Sequence, residues 1–274
     1  MQSPTKTGQN HSTLYKMGVK GLFQFSKRFE KDVHIPQYIS GKSVGVDIFW
    51  FLHQSKGDMF QLQNNLLPII KHAQKVHCVF DGAPSQEKRH LLEEQLKKRQ
   101  ELYESINQIE KFLKYPFNRL TGSDRHYINC YLNQLKRQVW QPPPDYIEYV
   151  KSWLSGKGCE IHQAPYEADD VLIELEKKGT VSTIITNDSD LLILGSSIVL
   201  RPISPLRGAV FDRDYICDIL GFTAQQWDDF MYLCDHMKDK DVLLAYSLIS
   251  VYKDLEYVLQ KYDTLYAADL IPCE

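Results

Sequence analysis

Five short runs of β-branched and apolar residues recur along this chain without polar alternation, and each is followed by a helix-like pattern. "KSVGVD" ends at Asp47 and "VHCVFD" at Asp81; "GCEIHQAP" leads to Glu167, "VSTIIT" leads to Asp188, and "SSIVLRP" follows Asp190. A strand with one wet face alternates apolar and polar residues, whereas a run that does not alternate is buried on both faces. Such strands interleaved with helices specify an α/β fold: a mostly parallel central sheet with helices on both sides. In that architecture a ligand sits beyond the carboxyl ends of the strands. Asp47, Asp81 and Asp188 each fall at or just past such an end, so they are expected on one rim of the sheet.

Taken singly, each acid has a plain explanation. Asp is common where strands pass into turns. Glu167, Asp169 and Asp170 follow Pro165 at a helix start, where acids favour the helix dipole; capping and catalysis explain those three equally well. Taken together they are harder to dismiss, because converging carboxylates repel and raise one another's pKa. Hard divalent cations resolve the conflict, and Mg²⁺ and Mn²⁺ prefer oxygen ligands. Two such ions roughly 3.5–4 Å apart activate a water and stabilise the leaving oxygen of a phosphodiester. The nine histidines are scattered and the six cysteines form no CxxC pair. Zinc is therefore not favoured, and phosphoryl chemistry is.

The net charge of −3 excludes a uniformly basic nucleic-acid coat but not a local patch. Residues 88–137 hold eleven Lys and Arg against six Asp and Glu, so the rest of the chain carries −8. Tyr103, Phe112, Tyr115, Phe117, Tyr127, Tyr131 and Trp140 lie in or beside this stretch, and "YPFNRLTGSD" breaks it into a two-helix hairpin. Cations tracking phosphates and rings stacking on bases suit a single-strand channel; a solvated hairpin with its aromatics packed inward explains the rings as well. No apolar run is long enough to span a bilayer. Residues 1–16 lack the apolar core of a secretory signal and read as a disordered extension, with Met17 a candidate start. The cysteines read as small buried residues of a reducing compartment, which places the protein inside the cell, in nucleus or cytoplasm.

"MGVKGL" at 17–22, "VGVDIFWFL", "VFDGAPSQEK", "APYEADD" and "TNDSDLLILG" occur in the order and at the spacing found in the flap endonuclease/XPG-type nucleases, which this chain resembles. The resemblance implies a PIN-like nuclease domain over residues 17–235, with a helical arch inserted at about 86–141 and a reduced helical region at 236–274. It implies that Asp47, Asp81, Glu167, Asp169, Asp188 and Asp190 bind two Mg²⁺ ions, with Mn²⁺ able to substitute, and that Asp235 is the last metal ligand, Asp239 being the alternative. Asp169 stands where many relatives have Glu, and Asp170 is an additional acid. By the same resemblance Lys88 steers the scissile phosphate, and Lys88, Arg89, Lys97, Lys98 and Arg99 contact nucleic acid. Gln95 replaces an assisting Arg, a role open to Lys98 or Arg99. No glycine follows Gly221, so the family's amide-rich duplex grip is absent and anchoring is expected to be weak or supplied by a partner protein. The implied activity is a Mg²⁺-dependent structure-specific nuclease on flap or junction DNA, as in DNA repair. The run "EADD" and the degenerate downstream region are also similar to the herpesvirus virion host-shutoff endoribonucleases, which makes RNA the alternative substrate. Gln95 and the displaced last Asp keep a third reading open, a non-catalytic nucleic-acid-binding scaffold. A phosphatase of small esters would leave the basic insertion without a role.

Overall fold

The computed structural model describes residues 21–83, 89–115, 120–188, 190–237 and 241–261. The first elements are α1 (Leu22–Ser26), β1 (Lys31–His34), α2 (Ile35–Tyr38), β2 (Ser43–Asp47), α3 (Ile48–Ser55), α4 (Met59–His72) and β3 (Lys75–Phe80). A hairpin of two long helices follows, α5 (Arg89–Lys114) and α6 (Gly122–Val139). Then come α7 (Pro144–Gly156), β4 (Glu160–Gln163), α8 (Ala168–Lys177), β5 (Thr183–Ile185), α9 (Asp190–Ile193), β6 (Ile198–Pro202) and β7 (Arg207–Asp212). The last helices are α10 (Arg213–Leu220), α11 (Ala224–His236), α12 (Val242–Tyr252) and α13 (Leu255–Lys261). The polar extension 1–16 and Met17 lie outside the described residues.

The seven strands form one sheet in the order β1-β7-β6-β5-β2-β3-β4. Pairing is parallel from β6 through β4, and β7 runs antiparallel to both of its neighbours. Both faces are covered. Val79, Ile184, Val199 and Phe211 pack beneath α8 and α10–α13, while Val46, Cys78, Phe80, Ile185 and Leu200 pack against α2, α3, α4 and α7. That double burial is why the runs of β2, β3, β5 and β6 lack alternation, whereas β4 lies at the sheet edge and is exposed or partly exposed. The mostly parallel α/β architecture expected from those runs is the one observed.

Strands β1 and β7 carry no such expectation. "RGAVFD" is buried on both faces like its parallel neighbours, yet it reverses direction. Only residues 203–206 join β6 to β7, too short a link for a parallel crossover. The hairpin helices close on Ile106, Leu132, Leu135 and Val139, an aliphatic seam. Tyr103, Phe112, Tyr115, Tyr127 and Tyr131 are exposed instead of packed inward; Phe117 lies outside the described residues. Trp140 sits against His53 and Tyr146 at the hairpin's base. Among the described residues no helix is long and apolar enough to cross a membrane. Cys78, Cys130, Cys159, Cys217 and Cys234 are free thiols, and all but Cys130 are buried.

Candidate active site

Three neighbouring strands deliver the acids. In the order β5-β2-β3, β2 ends on Asp47, β3 ends one residue before Asp81, and β5 ends three residues before Asp188. From β2 the chain goes to β3 and β4 on one side, then returns through α8 to β5 and β6 on the other. The topological switch point therefore lies between β2 and β5, where diverging crossovers leave a crevice. Asp47 and Asp188 flank it.

Each of these carboxylates also meets a helix N-terminus, whose partial positive charge favours it. Asp47 is the N-cap of α3; its Oδ1 accepts from the Trp50 amide at 3.4 Å and its Oδ2 from the Thr186 hydroxyl at 2.9 Å. The same Thr186 oxygen accepts from the Asp188 amide at 3.1 Å, so one hydroxyl ties β2 to the loop after β5. Asp188 Oδ1 accepts from the Asp190 amide at 2.9 Å, where α9 begins. Asp81 Oδ1 accepts from the Ala168 amide at 2.7 Å, at the first turn of α8. Glu167, the N-cap of that helix, makes no side-chain capping bond, so capping does not explain its carboxylate.

The loop that carries Glu167 is locked to Asp81 by backbone. The Gly82 amide donates to the Tyr166 carbonyl at 2.6 Å, and Gln163 Nε2 donates to the Asp81 carbonyl at 2.7 Å. A Cβ on Gly82 would stand 2.1 Å from the Ala164 carbonyl oxygen, so only glycine permits this approach. At its other end α8 is pinned by Glu176, whose carboxylate accepts from the Ser197 and Ile198 amides at 3.1 Å.

Helix starts do not remove the repulsion. Burial first, then the charge of Asp81, with a smaller push from Asp188, raise the Asp47 carboxyl to about 6 against the pull of Thr186 and the Trp50 amide. An oxygen-only donor set whose members repel one another fits hard divalent cations. A carboxylate oxygen with one hydrogen bond still has a lone pair to offer. Asp47, Asp81 and Asp188 could hold such ions; Glu167 and Asp169 stand at the start of α8.

The remaining expected residues are distributed as follows. Asp169 is only 9% exposed, whereas Asp170 faces solvent. Asp190 opens α9. Asp235 lies half-buried in the last turn of α11, a helix that packs on α9. Lys88 and Asp239 lie outside the described residues, as do the side chains of Arg89 and Gln95. Lys97 and Lys98 are exposed on α5, and Arg99 is half-buried.

Three contributors are not among the expected site residues, although Thr186 itself opens the run "TNDSDLLILG". Thr186 looks like an ordinary strand residue until its two partners are seen. Lys56 belongs to the basic set at the hairpin's base: its charge and that of Arg99 add to burial in lowering the His53 pKa, and Arg137 in turn acts on Lys56. The third is Glu30, which pairs through both oxygens with Arg201, one bond being Nε to Oε1 at 2.9 Å. That pair lines a small cavity with Ser26, Thr186, Asn187 and Asp188.

The profile of the XPG I-region matches residues 158–241. The chain is 30% identical over 237 residues to exonuclease 1 of Xenopus laevis, covering 80% of this chain and 30% of that protein. It is 27% identical over 201 residues to exodeoxyribonuclease 1 of Schizosaccharomyces pombe, covering 67% of this chain and 32% of that protein. Against flap endonuclease 1 of Glossina morsitans morsitans the identity is 23% over 281 residues, covering 90% and 69%. The chain thus spans about a third of the two exonucleases it matches. In fold it is similar to the catalytic core of Rad2 in complex with DNA substrate (TM-score 0.63, 17% identity, 90% of this chain and 72% of that one). It is likewise similar to flap endonuclease-1 from Methanococcus jannaschii (TM-score 0.55, 18% identity, 90% and 82%).

Proposed function

Because this chain belongs to the XPG/flap endonuclease family, we propose that it is a divalent-metal-dependent nuclease that hydrolyses DNA phosphodiesters near single-strand/duplex junctions. The observation that supports this reading is the electrostatic coupling of Asp47 to Asp81 and Asp188 beside the switch point, where burial and those two charges raise the Asp47 carboxyl to about 6. Bound Mg²⁺ or Mn²⁺ would polarise the phosphate and lower the pKa of the attacking water.

The chain's own residues do the rest. Asp47, Asp81, Glu167, Asp169, Asp188 and Asp190 form the anionic rim, with Asp235 completing it from α11. Thr186 holds Asp47 and the Asp188 backbone in fixed relation. Lys88 steers the scissile phosphate, and Lys97, Lys98 and Arg99 on α5 track the single strand. The exposed tyrosines of the hairpin offer faces for base stacking. Anchoring of the duplex is weak or is supplied by a partner protein.

Cleavage of a 5′-flapped DNA and of a structured RNA of equal length, with Mg²⁺ and with Mn²⁺, tests the proposal. The flap should be cut, and Asp188→Ala should abolish the cut. Preference for the RNA would replace DNA by RNA as substrate. No metal-dependent cleavage by the purified protein, or cleavage that survives Asp188→Ala, would overturn the catalytic reading in favour of a scaffold.

A further inference from the structure

Elsewhere on the same sheet, His77 and His162 stand on adjacent strands although 85 residues separate them in sequence. Strand β3 presents His77 and edge strand β4 presents Glu160 and His162, with His77 in register with Glu160 and Val79 with His162. His77 Nδ1 lies 3.0 Å from His162 Nε2 and 3.1 Å from Glu160 Oε2, and His162 Nε2 lies 4.0 Å from the same carboxylate oxygen. His77 lies four positions before Asp81, roughly 13 Å along a strand, so this triad is separate from the acid rim.

We propose that His77 Nδ1, His162 Nε2 and Glu160 Oε2 form a three-ligand site for a borderline transition-metal ion, foremost Zn²⁺, which pins edge strand β4 to β3. Zinc bonds of about 2.0–2.2 Å in tetrahedral geometry put neighbouring ligand atoms about 3.3–3.5 Å apart, and the three observed separations bracket that edge. Nδ1 of His77 has one in-plane valence. A proton there serves either the His162 nitrogen or the Glu160 oxygen, whereas a cation at the common point serves both.

Two further features support the site. Glu160 Oε1 is held by Lys75 Nζ at 2.5 Å, which turns Oε2 toward the histidines, the kind of outer contact that orients ligating carboxylates. His162 and Glu160 are partly exposed at the sheet edge, which leaves an entry path and room for a water as fourth ligand. Lys75 offsets the Glu160 charge, so Coulomb attraction alone is weak here. Imidazole nitrogens then decide the metal, favouring Zn²⁺, Co²⁺ or Ni²⁺ over Mg²⁺. Spacing along the sequence cannot reveal such a pair, because parallel pairing creates it.

Titration of the full chain with Co²⁺ tests the site, since tetrahedral Co²⁺ absorbs visible light. We expect one equivalent to bind with that spectrum, to be displaced by Zn²⁺ and not by Mg²⁺, and to bind unchanged in Asp188→Ala. His162→Ala should weaken binding by about tenfold or more, as should Glu160→Gln; both positions are partly exposed, so the fold survives, as circular dichroism would verify. Equal affinity in these variants and the parent chain would overturn the proposal, as would loss of binding in Asp188→Ala. Because the readout is a spectrum and not cleavage, failure here is distinct from failure of the nuclease reading.

Discussion

Asp47 is where the fold and the proposed chemistry oppose each other most directly. Its folded-state pKa of about 6 lies above the 3.8 of the free side chain, so the native protein binds this proton more tightly than the unfolded chain does. The sign follows: the group imposes no penalty below pH 3.8, and the penalty grows as pH rises through 4 to 6 and is complete above that. With partial exposure allowed for, it is on the order of 2 kcal/mol. Asp47→Asn should therefore stabilise the metal-free protein at pH 8 by about that amount in urea unfolding, and should remove cleavage. In the parent chain Mg²⁺ should raise the melting temperature more at pH 8 than at pH 5, where the carboxylate is mostly protonated; an equal shift at both pH values would show that no ion reaches Asp47. Thr186→Val keeps the shape and removes the hydroxyl that serves both Asp47 and the Asp188 amide. One such bond contributes about 1–1.5 kcal/mol, so single-turnover cleavage should slow about tenfold with only a modest change in melting temperature.

At the scale of elements, the joint between β3 and α8 decides whether the two halves of the acid set meet. Asp81 caps α8 from a neighbouring strand, and Gly82 allows the loop from Ala164 to Glu167 to close on it. Gly82→Ala should cost more than about 3 kcal/mol in urea unfolding and weaken stabilisation by Mg²⁺, because the added carbon has backbone and not a flexible side chain to displace. Much of this architecture was legible in the chain: five unalternating runs located five strands, and the strand-end acids were visible as Asp47, Asp81 and Asp188. Strands β1 and β7 were not, because "KDVH" is short and exposed at a sheet edge and "RGAVFD" looks like its parallel neighbours. Thr186 toward Asp47, Lys56 toward Arg137 and His77 toward His162 act through partners distant in sequence, which no local pattern encodes. The hairpin's aromatics were ambiguous for the same reason; their exposure favours stacking. Tyr127→Ala, at 75% exposure, should weaken single-strand binding by up to about 1–3 kcal/mol and leave the melting temperature unchanged.

Across the whole molecule, charge is segregated in a way that the net value of −3 hides. The hairpin region carries an excess of five positive charges while the rest carries −8, so a phosphate backbone is attracted to the arm and repelled by the body until cations fill the acid rim. On the proposed nuclease reading substrate placement and metal loading should therefore be coupled: the divalent ions that would serve the chemistry would also relieve the repulsion that holds the strand away. Attraction to the arm must weaken with salt, since each neutralised phosphate in a single strand releases counterions and contributes about −0.7 to the slope of log affinity on log salt concentration. Replacing Lys97, Lys98 and Arg99 together with glutamine should make that slope shallower by about 2 if all three contact phosphates. Lys97 and Lys98 face solvent and Arg99 is half-buried, so the melting temperature should change little. Fluorescence anisotropy with a labelled single strand at several KCl concentrations checks this. A slope unchanged by the triple replacement would mean that the arm is a solvated hairpin and that the strand takes another path to Asp47, Asp81 and Asp188.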